Sequence, residues 1–215
     1  MKKLTILILL LLSSLSLRAE IYAKLNLMYA AVGIINPQLE FQTTDNTTFS
    51  VDITYSPWRR IGGKGYHMNF GILQTEMRYY FKGANKGWYV SGNVGVQCFD
   101  MNKPRLFKGG FISFKDTYSK GFGFMTGIGV GWEKQFRERW VVDIFVAFDY
   151  LLSWYNGYKM NGEIIMNPMG HEHYKYPDPF NASSEFMPSK IGVSIGYRIF
   201  SPKNRALKKG LNVDN

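Results

Sequence analysis

Residues 140–150 read WVVDIFVAFDY, and this stretch decides the predicted fold. Large apolar side chains recur at every second position from Trp140 to Tyr150, and Asp143, Ala147 and Asp149 lie at positions between them. A repeat of two predicts a β-strand with one apolar face and one polar face. Such a strand separates an apolar environment from a polar one.

Seven other segments alternate in the same way and bring the predicted number of strands to eight. The predicted strands cover about 24–32, 37–43, 48–56, 67–81, 87–99, 120–134, 140–151 and 189–200. In the fourth strand, the apolar residues Met68, Phe70 and Ile72 would lie on the opposite face from Leu73 and Met77. A β-bulge near Ile72 would bring both groups to one face. The polar face of the sixth carries glycines that would make room for larger neighbours, namely Gly121, Gly123, Gly127, Gly129 and Gly131.

The predicted connections alternate in length. Short turns lie at 44–47, 82–86 and 135–139, and longer loops lie at 57–66, 100–119 and 152–188. Outer-membrane barrels have short periplasmic turns and longer extracellular loops. The pattern therefore favours a barrel that runs up and down between two sides of a membrane.

Alternation alone also fits a soluble lipocalin-like carrier, in which the apolar face points inward. The aromatic residues favour the membrane, because they gather at both ends of the apolar faces, as in the aromatic girdles of transmembrane barrels. One group lies beside the short turns: Phe41, Phe49, Tyr79, Phe81, Trp88, Trp132, Trp140 and Tyr197. The opposite group is Tyr29, Tyr55, Phe122 and Tyr150. The predicted fold is all-β, an eight-stranded antiparallel up-and-down transmembrane β-barrel whose interior is filled by side chains, with no pore.

The ends of the chain differ from its centre. Lys2 and Lys3 precede an apolar run from Leu4 to Leu12, and the segment ends at Ala19, so residues 1–19 are predicted to be a signal peptide. Residues 20–200 form the predicted barrel, and residues 201–215 form a basic periplasmic tail. The formal charge of +10 falls to +4 for residues 20–200, which is too mild to predict nucleic-acid binding.

Polar faces of the strands supply the predicted interior. The residues are Lys24, Glu76, Arg78, Glu133, Asp143, Asp149, Lys190 and Arg198, and the first expected ion pair joins Arg198 to Asp143. Buried charges are tolerated when they are paired, so a structural network is favoured over a proton or ion relay.

Candidate reactive residues form no strong motif. His171, Glu172, His173 and Asp178 have a spacing that is a weak signature of metal binding. A rim-active lipid A modifying enzyme would use Ser, His and an acid near the rim. The candidates are Ser183, Ser184 and Glu185 with His171 and His173, or Ser56 with His67. No base and nucleophile share a rigid support, and no further histidine or cysteine cluster supports the two-residue spacing. We therefore expect no catalytic, cofactor or metal site.

The predicted loops carry residues suited to contacts outside the barrel. Basic residues that would meet lipopolysaccharide phosphates are Arg59, Arg60, Lys64, Lys103, Arg105, Lys108 and Lys115. Aromatic residues that would contact a partner or glycan are Trp154, Tyr155, Tyr158, Tyr174 and Tyr176. Either set would equally suit a solvated rim or packing of the loop onto the barrel.

Four motifs resemble one known family: KLNLMY at 24–29, YSPW at 55–58, QTEMRYY at 74–80, and GIGVGWE at 127–133 followed by Trp140 and Asp143. Over about residues 23–200 the chain resembles an uncharacterised outer-membrane barrel family of Bacteroidota, a domain of unknown function. The basic tail departs from simple barrels that end at a terminal aromatic residue.

The resemblance implies a location in the bacterial outer membrane and a barrel fold, and it assigns no activity. Its implied partners are outer-membrane lipid, lipopolysaccharide and the barrel assembly machinery. Relatives beside fimbrial-subunit genes imply a surface-fibre or adhesion partner at loops 57–66, 100–119 and 152–188. The expected role is therefore structural or surface-interactive.

Overall fold

The computed structural model describes residues 20–106, 112–166 and 180–202, which form one antiparallel sheet of nine strands. Within these ranges, no helix has the length and apolar character needed to cross a bilayer. The elements are β1 Ile21–Asn26, α1 Leu27–Ala31, β2 Pro37–Gln42, β3 Thr47–Ile61, β4 Tyr66–Tyr80, β5 Gly87–Leu106, β6 Ile112–Phe136, β7 Trp140–Lys159, β8 Ile164–Ile165 and β9 Phe180–Phe200.

The sheet closes into a ring. Each strand from β1 to β7 pairs with the next one, and β9 pairs with both β7 and β1. The predicted all-β, antiparallel, up-and-down arrangement is therefore confirmed. The count of eight was wrong for the described sheet, because β8 adds a ninth strand that pairs only with Gly157 and Tyr158 of β7. The chain turns back toward β7 between Lys159 and Glu163. The Lys159 amide donates to the Glu163 carbonyl and closes this turn.

The ring has two unlike ends. The turn end carries the connections 43–46, 81–86 and 137–139, together with the start of β1 and the end of β9. The loop end carries the described connections 27–36, 62–65 and 160–163. Much of what we predicted as loop at 57–66, 100–119 and 152–188 is strand, since β3 to β7 and β9 continue their pairing beyond the apolar alternation. Backbone pairing needs no apolar face, which is why the pattern underestimated these strands.

The first predicted strand was wrong beyond Asn26. The Asn26 side chain accepts hydrogen bonds from the backbone amides of Met28 at 3.0 Å and Tyr29 at 3.4 Å, and so caps helix α1. An asparagine at this position satisfies amides that have no partner in the first turn of a helix. Tyr29 consequently lies in the helix and does not continue the outer face of β1.

The β-bulge predicted near Ile72 is absent from the described strand. β4 pairs with β3 and with β5 in unbroken register from Met68 to Tyr79. Strict alternation therefore places Met68, Phe70 and Ile72 on the same face as the buried Gln74. The interior is thus more apolar toward the loop end, where Phe70 pairs with Phe99.

Glycines in β6 admit large neighbours, as predicted. A Cβ added to Gly131 would lie 2.4 Å from the Tyr89 ring, and one added to Gly127 would lie 2.1 Å from Asp149 Oδ1. These contacts are closer than atoms can approach without displacement. The absent side chains of β6 therefore create the space that the interior residues of β5 and β7 occupy.

Candidate functional site

Arg78 is the centre of a charged network inside the ring. Its Nη1 donates to Asp143 Oδ2 at 2.7 Å and to Glu40 Oε2 at 3.0 Å, while its Nε donates to Glu76 Oε1 at 3.0 Å. The Arg78 side chain is fully buried. One guanidinium thus joins β4 to β2 and, across the interior, to β7, which suits its planar set of five donors.

Lys24 forms the second centre, toward the turn end. Its Nζ lies 2.7 Å from Glu40 Oε2 and 2.8 Å from Glu133 Oε2. Neutral donors complete these carboxylates, because Tyr80 Oη donates to Glu133 at 2.6 Å and Asn85 Nδ2 donates to both glutamates at 2.9 and 3.0 Å. Asn85 reaches inward from the turn at 81–86 with a φ of 62°, a conformation that asparagine tolerates.

Lys190 continues the network toward the middle of the ring. Its Nζ donates to Asp52 Oδ2 at 2.6 Å and to Glu76 Oε2 at 3.2 Å. Because Glu76 also binds the guanidinium of Arg78, the two cations share one carboxylate. Farther along, Gln74 Nε2 donates to Asp149 Oδ2 at 3.2 Å.

Carboxylates outnumber cations in this interior. Among the described residues that are buried, three are cationic and six are acidic: Lys24, Arg78 and Lys190 against Glu40, Asp52, Glu76, Glu133, Asp143 and Asp149. Hydroxyl and amide donors offset part of this excess, as Tyr89 does by donating to Asp143 Oδ1 at 2.9 Å. Shared donors of this kind stabilise buried charge that would otherwise be costly.

The outer face of the ring is apolar and exposed. Ile144 is exposed while Asp143 beside it is buried, and Ile128 of β6 is 71% exposed. The orientation predicted from the alternation, with polar side chains inside and apolar side chains outside, is confirmed. Further exposed apolar residues are Leu39, Ile53, Leu73, Met77, Val90, Val94, Val96, Phe124, Val130, Phe148 and Ile191.

Aromatic side chains border this apolar surface at both ends. At the turn end Trp88 is 60% exposed, and the Trp140 and Tyr197 rings meet with centroids 5.0 Å apart. At the loop end Phe122 stacks on Trp154 at 5.6 Å. The predicted rings of aromatics thus lie on the outer face, except for Tyr29, which is half-buried in α1.

Polar residues cover the outer face beyond the aromatic border at the loop end. His67 stacks on Tyr118 at 4.1 Å, and Tyr118 stacks on Tyr158 at 5.1 Å. His67 Nδ1 lies 2.8 Å from Asp100 Oδ1, and Lys120 Nζ lies 3.2 Å from Asp100 Oδ2. These five residues form a loop-end patch in which the one carboxylate already binds two partners.

The residues considered for catalysis are dispersed. Ser56 is buried and donates to the Met68 carbonyl, whereas His67 lies on the opposite face of the sheet. Ser183 and Ser184 lie in β9, and Glu185 pairs with Lys103. His171, Glu172, His173 and Asp178 lie outside the described residues. Among the residues that are described, no cluster of histidine, cysteine and acidic side chains could hold a metal ion.

The basic and aromatic loop residues have mixed surroundings. Arg59 and Arg60 are exposed, and Lys64 lies 3.9 Å from Asp116. Tyr155 lies 6.4 Å from Phe99 and Lys115 is half-buried. The side chains of Arg105, Lys108, Tyr174 and Tyr176 lie outside the described residues.

The predicted interior set is largely correct but one pairing was wrong. Arg198 binds Glu20 at 2.9 Å, and Asp143 binds Arg78 instead. Arg198 lies too near the mouth of the ring to reach Asp143, since it pairs in register with Tyr22 near the start of β1.

The sequence also held signals for interior residues that we did not include. Glu40 alternates with Leu39 and Phe41, and Asp52 alternates with Val51 and Ile53, so both lie on polar faces. Tyr80 follows Arg78 by two positions, which places both side chains on one face of β4. Asn85 had no such signal, because it lies in a turn.

The fold and its interior define a class of protein, a closed antiparallel ring with a charged interior and an apolar exterior. A family model described as Protein of unknown function (DUF3575) matches residues 4–199, and the chain belongs to this family. No curated protein and no solved structure matches the chain. The resemblance to an uncharacterised family is confirmed, and the outer-membrane location stays a prediction.

Proposed function

We propose that this chain is a non-enzymatic β-barrel protein of the bacterial outer membrane with a structural or surface-interaction role. In this proposal the outer face contacts lipid, the loop end faces the cell exterior, and the turn end faces the periplasm. Residues 1–19 direct export as a signal peptide, and residues 201–215 form a periplasmic tail. The hairpins of the loop end carry the contacts with partners.

The observation that carries the proposal is the burial pattern of the ring, which is the reverse of the pattern in a soluble protein: apolar side chains are exposed and charged side chains are buried. Soluble monomers rarely expose a contiguous apolar surface larger than a few hundred Å². Here exposed apolar residues follow the outer face of strand after strand, and charged residues are buried inside. Hydrocarbon favours this outer face, and a closed ring satisfies the backbone hydrogen bonds that a membrane-spanning sheet requires.

The interior supports a structural role. Side chains from opposite strands meet across the ring, as in the 2.7 Å contact between Arg78 of β4 and Asp143 of β7. A ring of about eight strands has an interior that side chains fill. The network therefore favours a rigid scaffold that presents the loop end over a protein that conducts solutes.

The loop end supports surface contact. Strands β5, β6, β7 and β9 extend well beyond the apolar surface, so they present polar and aromatic residues on a paired backbone. The loop-end patch lies just beyond the aromatic border formed by Phe122 and Trp154. In the proposed orientation this patch meets lipopolysaccharide sugars and phosphates, which stacking rings and charged groups can bind.

Cell fractionation tests the location. The mature chain should be recovered in the outer-membrane fraction after washing with alkaline carbonate, and its electrophoretic mobility should change on heating. Recovery in the soluble periplasm would contradict the proposal and favour a lipocalin-like carrier. The lipid A profile should be unchanged when the gene is deleted, whereas a changed profile would favour a lipid A modifying enzyme.

Labelling of intact cells tests the orientation. In a Cys98→Ala background, Lys64→Cys at the loop end should react with a membrane-impermeant maleimide. Glu138→Cys at the turn end is the matched control, since both residues are exposed. It should react only after the outer membrane is permeabilised. The reverse pattern would contradict the proposed orientation.

A further inference from the structure

An open cavity of about 720 Å³ lies at the turn end of the ring. Its lining includes Trp132, Lys134 and Phe136 from the outer face of β6, Arg137 from the following turn, and the inward-facing Arg198 of β9. Because both faces of the sheet contribute, the cavity opens at the rim, where the interior meets the outer surface.

Positive charge around this cavity is only partly paired. Within the described part of the chain, Lys86, Lys134 and Arg137 have no acidic partner within 4.0 Å. Arg198 is paired, because its Nη1 binds Glu20 at 2.9 Å.

Two acidic residues also line the cavity. Glu133 is buried and binds Lys24, so its charge is compensated within the network. Glu138 is exposed at the tip of the turn. Three unpaired cations, Lys86, Lys134 and Arg137, against one uncompensated carboxylate make the cavity suited to an anion, because clustered cations concentrate positive potential.

The aromatic side chains indicate which anion fits. Trp132 pairs in register with Trp88, and the Phe136 ring lies 6.5 Å from that of Trp140, so the cavity adjoins the aromatic border of the apolar surface. Aromatic borders of membrane barrels lie at the level of the lipid headgroups. A phosphate at this level belongs to a lipid whose chains lie along the apolar face.

We propose that this cavity binds the phosphate headgroup of an anionic phospholipid in the leaflet at the turn end, an inference that rests on the proposed location in a membrane. Lys134 and Arg137 hold the phosphate, and Trp132 and Phe136 contact the glycerol and upper acyl chains. The bound lipid compensates the unpaired cations of the rim.

Native mass spectrometry of the purified, detergent-solubilised protein tests the site. The probes are phosphatidylglycerol, phosphatidylcholine and inorganic phosphate. The test variant is Lys134→Gln with Arg137→Asn, since asparagine tolerates the φ of 45° at position 137. Arg59→Gln with Arg60→Gln removes the same charge at the loop end and is the matched control.

The wild type should retain phosphatidylglycerol more tightly than phosphatidylcholine. Each cation near an anionic lipid contributes about a fivefold gain, so the test variant should bind phosphatidylglycerol on the order of 30-fold more weakly. The control should bind as the wild type does. Unchanged heat-dependent mobility of both variants establishes that they are folded.

Three results would overturn the inference: equal retention of the two lipids, equal weakening in the control, or inorganic phosphate binding as tightly as the lipid. None of these results tests the proposed location in a membrane, because lipid binding is measured in detergent. Recovery of the chain outside the membrane fraction would overturn the proposed function, whatever the lipid-binding measurement gives.

Discussion

Replacing Arg78 with methionine should destabilise the folded ring by about 3–5 kcal/mol, the cost of removing one partner from a buried ion pair. Arg78 binds Glu40, Glu76 and Asp143, all of them buried. The expected cost is that of one broken ion pair and not of three, because each of the three carboxylates keeps another partner. Glu40 keeps Lys24 at 2.7 Å, and Asp143 keeps the Tyr89 hydroxyl and Glu76 keeps Lys190.

The assay is urea unfolding of the purified protein refolded in lipid vesicles, followed by tryptophan fluorescence. Arg60→Met is the control, since Arg60 is exposed and its loss should change the free energy of unfolding by less than about 0.5 kcal/mol. A free energy of unfolding within about 1 kcal/mol of the wild type at pH 7 would refute a network centred on Arg78.

Two further predictions concern the fit of the interior and the outer face. Gly131→Ala places a Cβ 2.4 Å from the Tyr89 ring and should cost about 1–3 kcal/mol in the same assay. Gly92→Ala, whose nearest atom would be 4.0 Å away, should leave stability unchanged, and equal effects would contradict the packing described. Ile128→Arg on the apolar face should cost about 2–4 kcal/mol in vesicles, against about 0–1 kcal/mol for Phe136→Arg at the border, and equal costs would argue against a bilayer around the ring.

The orientation of the strands could be predicted from sequence because the side-chain repeat is strict. Between Trp140 and Tyr150 every second residue is apolar, so a shift by one position would invert both faces. The structure places Ile144 outside and Asp143 inside, as the alternation predicts. The repeat of two does not say whether the apolar face contacts hydrocarbon. The contact with membrane lipid is therefore part of the proposed function.

What could not be predicted depends on contacts between residues distant in sequence. Beyond the aromatic border at the loop end, the sequence no longer alternates strictly between apolar and polar residues, so the pairing of these strand ends has no period-two signal. Asn85 interacts with Glu133 across 48 residues, and nothing local marks a turn asparagine as an interior donor. The helix after Asn26 was missed because one capping residue lies inside an alternating segment.

The most direct test of the central claim is a nitroxide scan of β7 in a Cys98→Ala variant reconstituted in lipid vesicles. Labels at Val142, Ile144 and Val146 should collide more often with oxygen, which concentrates in hydrocarbon, than with a water-soluble nickel chelate. A label at the inward-facing Ala147 should be shielded from both reagents. Outward positions that favour the nickel chelate over oxygen would mean that water, not lipid, surrounds the ring.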